Sequence, residues 1–176
     1  MRFVETGLAG AWLIEIEAVA DERGMFARTY CDREFEERGI AFRAVQCNTS
    51  FNRRRGTLRG MHYQEGEAGE AKLVRCTRGA VFDVIVDLRP ASTTRLQWFG
   101  AELSADNRRM FYVPKDFAHG FMTLVDDSEV FYQMSAFYRP DAARGVRWND
   151  PALSIRWPEG EPILSPRDRA YPDVPT

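Results

Sequence analysis

Histidine is scarce in this chain: only two, His62 and His119, occur in 176 residues. They are far apart, and neither a His-x-His nor a Cys-x-x-Cys pair is present, so the sequence offers no local cluster of metal ligands. Cysteine is scarce too. Cys31, Cys47 and Cys76 are an odd number at irregular spacing, which fits reduced thiols in a cytoplasm better than a disulfide frame. No apolar run approaches the roughly 18 residues of a membrane span. The opening MRFVETGLAG has no apolar signal region, so a cytoplasmic protein is expected. The net charge is −2 with both signs interspersed, and no basic tract points to nucleic acid. Gly-x-Gly-x-x-Gly and Gly-x-x-x-x-Gly-Lys are absent, as is a Gly-x-Ser-x-Gly elbow, which removes those nucleotide loops and that kind of serine hydrolase. There are no internal repeats or low-complexity segments. Asn48-Thr49-Ser50 matches a glycosylation sequon, but without secretion it reads as chance.

What is present is a chain 44% apolar, long enough for one domain over residues 1–176. A chain of this length buries roughly 70% of its unfolded surface. Short strand signals dominate. Residues 12–19 (WLIEIEAV) read as a strand, Asp21-Glu22-Arg23-Gly24 as a turn and 25–30 as a second strand. Residues 32–38 form the one convincing helix signal, with Asp32 as cap and Gly39 as stop. Further strands are expected at 42–50, 56–64, 71–76, 80–88, 96–103, 110–113, 121–125 and 128–138. Pro114 and Gly120 would bracket a turn, and Asp126-Asp127 a hairpin. Along 80–88, Phe82, Val84, Val86 and Leu88 share one face; the other mixes Val81 and Ile85 with Asp83 and Asp87. Six of the nine prolines follow Asp150, which reads as an irregular tail wrapped on the body and anchored by Trp148 and Trp157. Many short strands and almost no helix define an all-β sandwich or barrel.

The stretch GTLRGMHYQ, residues 56–64, carries the strongest chemical signal. A neutral imidazole at His62 can accept a proton at cellular pH, although a lone strand histidine is more often structural. Arg59 and His62 are three apart, so a regular strand would point them to opposite faces. For both to serve one site the strand must bulge or twist, and Gly60 permits it. Gln46, Asn48 and Ser50 share a face that either hydrogen-bonds a ligand or is simply exposed. Lys72 begins a strand; inside a cavity it would stabilise an oxyanion, whereas at an edge it would be solvated. Tyr132 is either a core tyrosine or a proton donor. His119, read alone, is a turn residue.

Together these motifs make the chain resemble the dTDP-4-dehydrorhamnose 3,5-epimerases, nucleotide-sugar enzymes of the cupin type. The resemblance runs from about Trp12 to Asp168, through DERGMF, VQCN, GTLRGMHYQ, KLVRCTRGAVFDVIVDLR, FAHGF, GVRWNDP and LSPRD. It implies a metal-free, cofactor-free jelly-roll barrel with a few short helices, usually a homodimer with an N-terminal strand exchanged between protomers. It further implies His62 as general base, Asp168 as the carboxylate orienting it, Tyr132 as the acid and Lys72 as the enolate-stabilising cation. Arg59 and His119 are implied as further site residues, with Arg59 on the pyrophosphate. Arg23, Phe26, Arg28, Gln46, Asn48 and Tyr138 are implied substrate-binding positions. The chain departs from the family pattern at Arg28, where an acid is usual, at Cys47, at Gln133 and at Ala136-Phe137. The proton-transfer set is intact.

Overall fold

A computed structural model of the chain describes residues 1–174. In chain order the elements are β1 (Arg2–Glu5), β2 (Trp12–Glu15), β3 (Val19–Asp21), β4 (Gly24–Phe26), α1 (Asp32–Glu36), β5 (Gln46–Asn52), β6 (Leu58–Gln64), β7 (Lys72–Arg78), β8 (Ala80–Asp87), β9 (Trp98–Ser104), β10 (Met110–Val113), β11 (Phe117–Thr123), β12 (Ser128–Met134), β13 (Ala143–Gly145) and α2 (Pro166–Arg169). Two antiparallel sheets form a cupin-type jelly roll. One has the order β1-β2-β10-β7-β12-β5, the other β13-β6-β11-β8-β9. The hairpin β3-β4 joins neither.

The alternation along β8 builds two cores at once. Val81 and Ile85 point between the sheets, where they meet Val74, Phe111, Val113, Phe121 and Val130. Val84 and Val86 point outward and are covered by Val146, Leu153 and Val174 of the tail. The outer face of the other sheet, through Ile14, Leu73 and Met110, is closed by Phe35, Ile40 and Phe42 from the α1 region. Phe35 is fully buried and meets Phe3 and Tyr30 edge-on. Full burial of such a ring contributes roughly 1.5–3 kcal/mol. Each sheet is thus apolar on both faces, which explains why β8 reads as a near-continuous hydrophobic run.

The acidic residues of β8 have separate uses. Asp87 is fully buried and accepts from Arg89 Nε at 2.9 Å, Arg89 Nη2 at 2.7 Å, Ser92 Oγ at 2.5 Å and Thr94 Oγ1 at 2.7 Å, so it ties down the loop between β8 and β9. Burial pushes its pKa up, but the Arg89, Ser92 and Thr94 donors outweigh that and hold it at about 2. Asp83 faces the interior at the other part of the strand. The tail is irregular as expected, and Trp157 Nε1 donates to the Trp148 carbonyl at 2.8 Å. Pro175, one of the tail prolines, lies outside the described residues.

Several boundaries differ from the sequence reading. The strand expected over 12–19 ends at Glu15, because its pairing to β1 runs out at Arg2 and its pairing to β10 at Met110. The strand expected over 25–30 stops at Phe26, since β3 is its only partner among the described residues and is three residues long. Helix α1 begins after Cys31, which makes no side-chain cap. Asp32 accepts instead from the Tyr30 hydroxyl. The helix expected over 32–38 ends at Glu36, and Gly39, with φ of +70°, turns the chain away just beyond it. The turn expected between Pro114 and Gly120 is tighter. It closes at Asp116, in the left-handed region at φ +62°, so His119 lies inside β11 and not in a turn. β1 and β13 carry too few residues to show a pattern.

Candidate active site

The two sheets face each other across a cavity of about 620 Å³. Its wall takes Gln46, Asn48, Lys72 and Tyr132 from one sheet and Arg59, His62 and His119 from the other, closed by Tyr138, Arg167 and Asp168.

Arg59 and His62 share this cavity because β6 bulges between them. His119 pairs with His62 while Phe121 pairs with Arg59, so three steps on β6 oppose two on β11. The extra residue restores a common face. Gly60 has φ of +153°, and a Cβ there would lie 2.7 Å from the Gly120 Cα. Two glycines are therefore required where the strands cross.

His62 Nε2 lies 2.6 Å from Asp168 Oδ1. Asp168 comes from the tail: Ser165 caps α2 by accepting from the Asp168 amide at 3.1 Å, Pro166 starts the turn, and the carboxylate is turned inward at 5% exposure. With Nε2 given to the carboxylate, Nδ1 is the ring nitrogen left to accept a proton. Tyr171 packs edge-on against the imidazole, with ring centres 5.6 Å apart.

His119 Nε2 meets Asp83 at 2.9 and 3.1 Å, making a second histidine–carboxylate pair on the strand beside the first. Asp83 is fully buried; burial raises its pKa, while the His119 and Lys72 charges act against that. Lys72 is buried, not solvated at an edge. Its Nζ reaches Glu70 Oε1 at 2.9 Å and the His62 carbonyl at 3.2 Å. Tyr132 projects from β12 on the facing sheet, half-buried against the core. Burial raises its pKa; the Arg59 charge opposes this, and Glu70 and Tyr138 add to it. The phenol is thereby held protonated. Arg59 Nε donates to Asn52 Oδ1 at 2.7 Å, which fixes the guanidinium at the cavity mouth.

Gln46 and Asn48 do line the cavity, and the Gln46 amide donates to Asn48 at 3.0 Å. Tyr138 lines it as well, with its amide donating to Gln46 Oε1 at 3.0 Å. Arg23, Phe26 and Arg28 do not. Arg23 pairs with Asp21 at 2.5 Å on the free hairpin. Phe26 is 77% exposed there. Arg28 pairs with Glu34 at 2.9 Å. Arg23 and Phe26 sit on a hairpin that pairs with neither sheet, and Arg28 follows it, tied to α1 through Glu34.

Sequence reasoning passed over four residues at or beside this site: Glu70, Asp83, Arg167 and Tyr171. Asp83 left a trace as a charge on the core face of β8. Glu70 was hidden in an acidic loop, and the two tail residues had no periodic setting. Among the described residues no group of three or more His, Cys, Asp or Glu is gathered as a metal would require.

A jelly roll whose cavity holds a histidine–carboxylate pair on one sheet and a half-buried phenol on the other has the groups that acid–base chemistry uses. The family model for dTDP-4-dehydrorhamnose 3,5-epimerase matches residues 5–175, and the chain belongs to that family of isomerases. It is 45% identical over 173 residues to the dTDP-4-dehydrorhamnose 3,5-epimerase of Methanothermobacter thermautotrophicus, covering 97% of this chain and 92% of that protein. It is 43% identical over 170 residues to the dTDP-4-dehydrorhamnose 3-epimerase of Streptomyces niveus, covering 96% and 82%. Among solved structures, the Bacillus anthracis dTDP-4-dehydrorhamnose 3,5-epimerase with TDP and PPi bound superposes with a TM-score of 0.95 at 43% identity, over 98% of this chain and 99% of that one.

Proposed function

We propose that this protein inverts C3 and C5 of a nucleotide-linked 4-keto-6-deoxyhexose, of the dTDP-4-dehydro-6-deoxyglucose type. The observation that carries this reading is that His62 and Tyr132 stand on facing sheets across one cavity. A ketone at C4 makes the neighbouring C–H bonds acidic, since the electrons left behind move onto the carbonyl oxygen. His62, through Nδ1, takes the proton from one side of the ring, and Asp168 stabilises the imidazolium that forms. Lys72 faces the developing enolate oxygen. Tyr132 then returns a proton to the opposite side of the same carbon, and the phenolate and imidazolium are reset by exchange with solvent. Removal from one face and return to the other is inversion. His119, held by Asp83, and Arg59 complete the cavity, Arg59 on the diphosphate.

The free hairpin supports a homodimer in which Arg23, Phe26 and Arg28 reach the nucleotide bound by the partner protomer. Val19, Met25 and Phe26 are 72%, 43% and 77% exposed on it, an apolar surface left uncovered by the described residues. Light scattering should return twice the chain mass of 20.2 kDa. The reading puts the enzyme in the cytoplasm, in keeping with three free cysteines and no helix among the described residues long and apolar enough to cross a membrane.

The test is an NMR time course in deuterated water with dTDP-4-keto-6-deoxyglucose. Loss of proton signal at both C3 and C5 is expected. The Streptomyces niveus relative, named a 3-epimerase, favours a second reading in which exchange is confined to C3. Exchange at neither carbon would refute both.

A further inference from the structure

Glu70 and Lys72 form a buried ion pair for which the proton transfers above give Glu70 no part. Glu70 lies two residues before β7 and lines the cavity. Its Oε1 meets Lys72 Nζ at 2.9 Å, with the two side chains 3% and 8% exposed. Its Oε2 is buried with no hydrogen-bond partner among the described residues. Such a pair gives little net stability over well-packed apolar side chains, so stability does not account for it.

Geometry does account for it. An ammonium carries three N–H groups on a flexible four-carbon stem. One is taken by Glu70 and one by the His62 carbonyl at 3.2 Å. The third is left for the cavity that Lys72 lines. We propose that Glu70 is the positioning residue for Lys72, clamping the ammonium against the backbone of the base strand so that its remaining N–H is aimed at the substrate carbonyl oxygen. This rests on the epimerase reading and deepens it. The cation and the base then move as one unit, because the carbonyl that anchors Lys72 belongs to His62 itself.

The chain has only two lysines, and the other, Lys115, is exposed, so one measurement isolates Lys72. In protein labelled with 15N-lysine, the wild type should show one ammonium N–H cross-peak, from Lys72, with Lys115 lost to rapid solvent exchange. Glu70→Gln keeps the shape, removes the charge and should abolish that peak. The same variant should lose about 10²-fold in kcat for C3 inversion, with KM within threefold of wild type, as expected for a misaimed group and not for a weakened pocket. Glu70→Asp keeps the charge but withdraws the oxygen by one methylene; it should fold as wild type and recover part of kcat. A cross-peak that survives in Glu70→Gln overturns the proposal. So does a kcat within twofold of wild type in both variants, and if Glu70→Gln fails to fold, an unchanged kcat in Glu70→Asp does so alone. If the wild type turns over no 4-keto sugar, the epimerase reading falls, while the spectrum still decides whether Glu70 holds the Lys72 ammonium.

Discussion

Replacing Asp168 with asparagine removes one negative charge from the proposed base and almost nothing else. The side chain keeps its volume, and the Asp168 amide that donates to Ser165 is backbone, so α2 keeps its cap. What disappears is the 2.6 Å bond from His62 Nε2 to a carboxylate only 5% exposed. A hydrogen bond to a charged partner is worth about 1.5–3 kcal/mol. That interaction is strongest once the ring has taken a proton, so it bears on the barrier more than on substrate binding. Converted to rate, its removal slows the step by about 10- to 150-fold. A further loss follows if the asparagine amide donates to Nε2 and so moves the ring proton to Nδ1, the nitrogen that should be free. Deuterium wash-in at C3 under single-turnover conditions measures the step directly, because it does not wait for inversion. The expected result is a fall of at least tenfold with KM within threefold. Wash-in within twofold of wild type would refute the assignment of His62 and Asp168 as a working pair.

Tyr132→Phe should leave wash-in at wild-type order and slow inversion by about 10²-fold or more, read as exchange with retained configuration. Burial holds the Tyr132 phenol above its ordinary 10.0, so the donor stays protonated as pH rises, and loss of inversion from its ionisation should begin only above pH 10 in a pH–rate profile. Lys72→Met strands the Glu70 carboxylate in the interior at a cost of about 3–5 kcal/mol, or roughly 6–20 °C in Tm. Adding Glu70→Gln should restore most of it in calorimetry, and a single variant as stable as wild type would contradict the burial argument. Asp87 sits at about 2 against an ordinary 3.8, so it stabilises the fold by about 2 kcal/mol above pH 4 and loses this as pH falls towards 2. Asp87→Asn should lower stability by about that amount at pH 7 and flatten the acid unfolding curve between pH 4 and 2.

The strands of the barrel were legible wherever side chains alternate between two apolar layers. Residues 110–113 were placed to the residue, and 80–88 to within one, with both faces of β8 correctly divided. A break in the strand between Arg59 and His62 was legible as a condition, bulge or twist, for both residues to share a cavity, and the register shift shows that it is a bulge. What sequence pattern could not carry was anything set by partners distant along the chain. The end of β2 depends on where β10 and β1 stop. The turn near His119 was misread because Gly120 looks like a turn residue, whereas it is small to admit Gly60. Glu70 was passed over because burial, not composition, gives it meaning. Arg23 and Phe26 lie on the hairpin and Arg28 just after it, and none of the three lines the cavity of its own chain.

The wrapping tail has a consequence for how the protein matures. The barrel strands end with β13 at Gly145, yet Asp168 arrives afterwards, 106 positions beyond the histidine it serves. A growing chain can close both sheets around the cavity while the imidazole still lacks its carboxylate. The segment that seals the outer apolar face is the same one that brings the carboxylate to His62, so one stretch of chain both closes a core and completes the cavity wall.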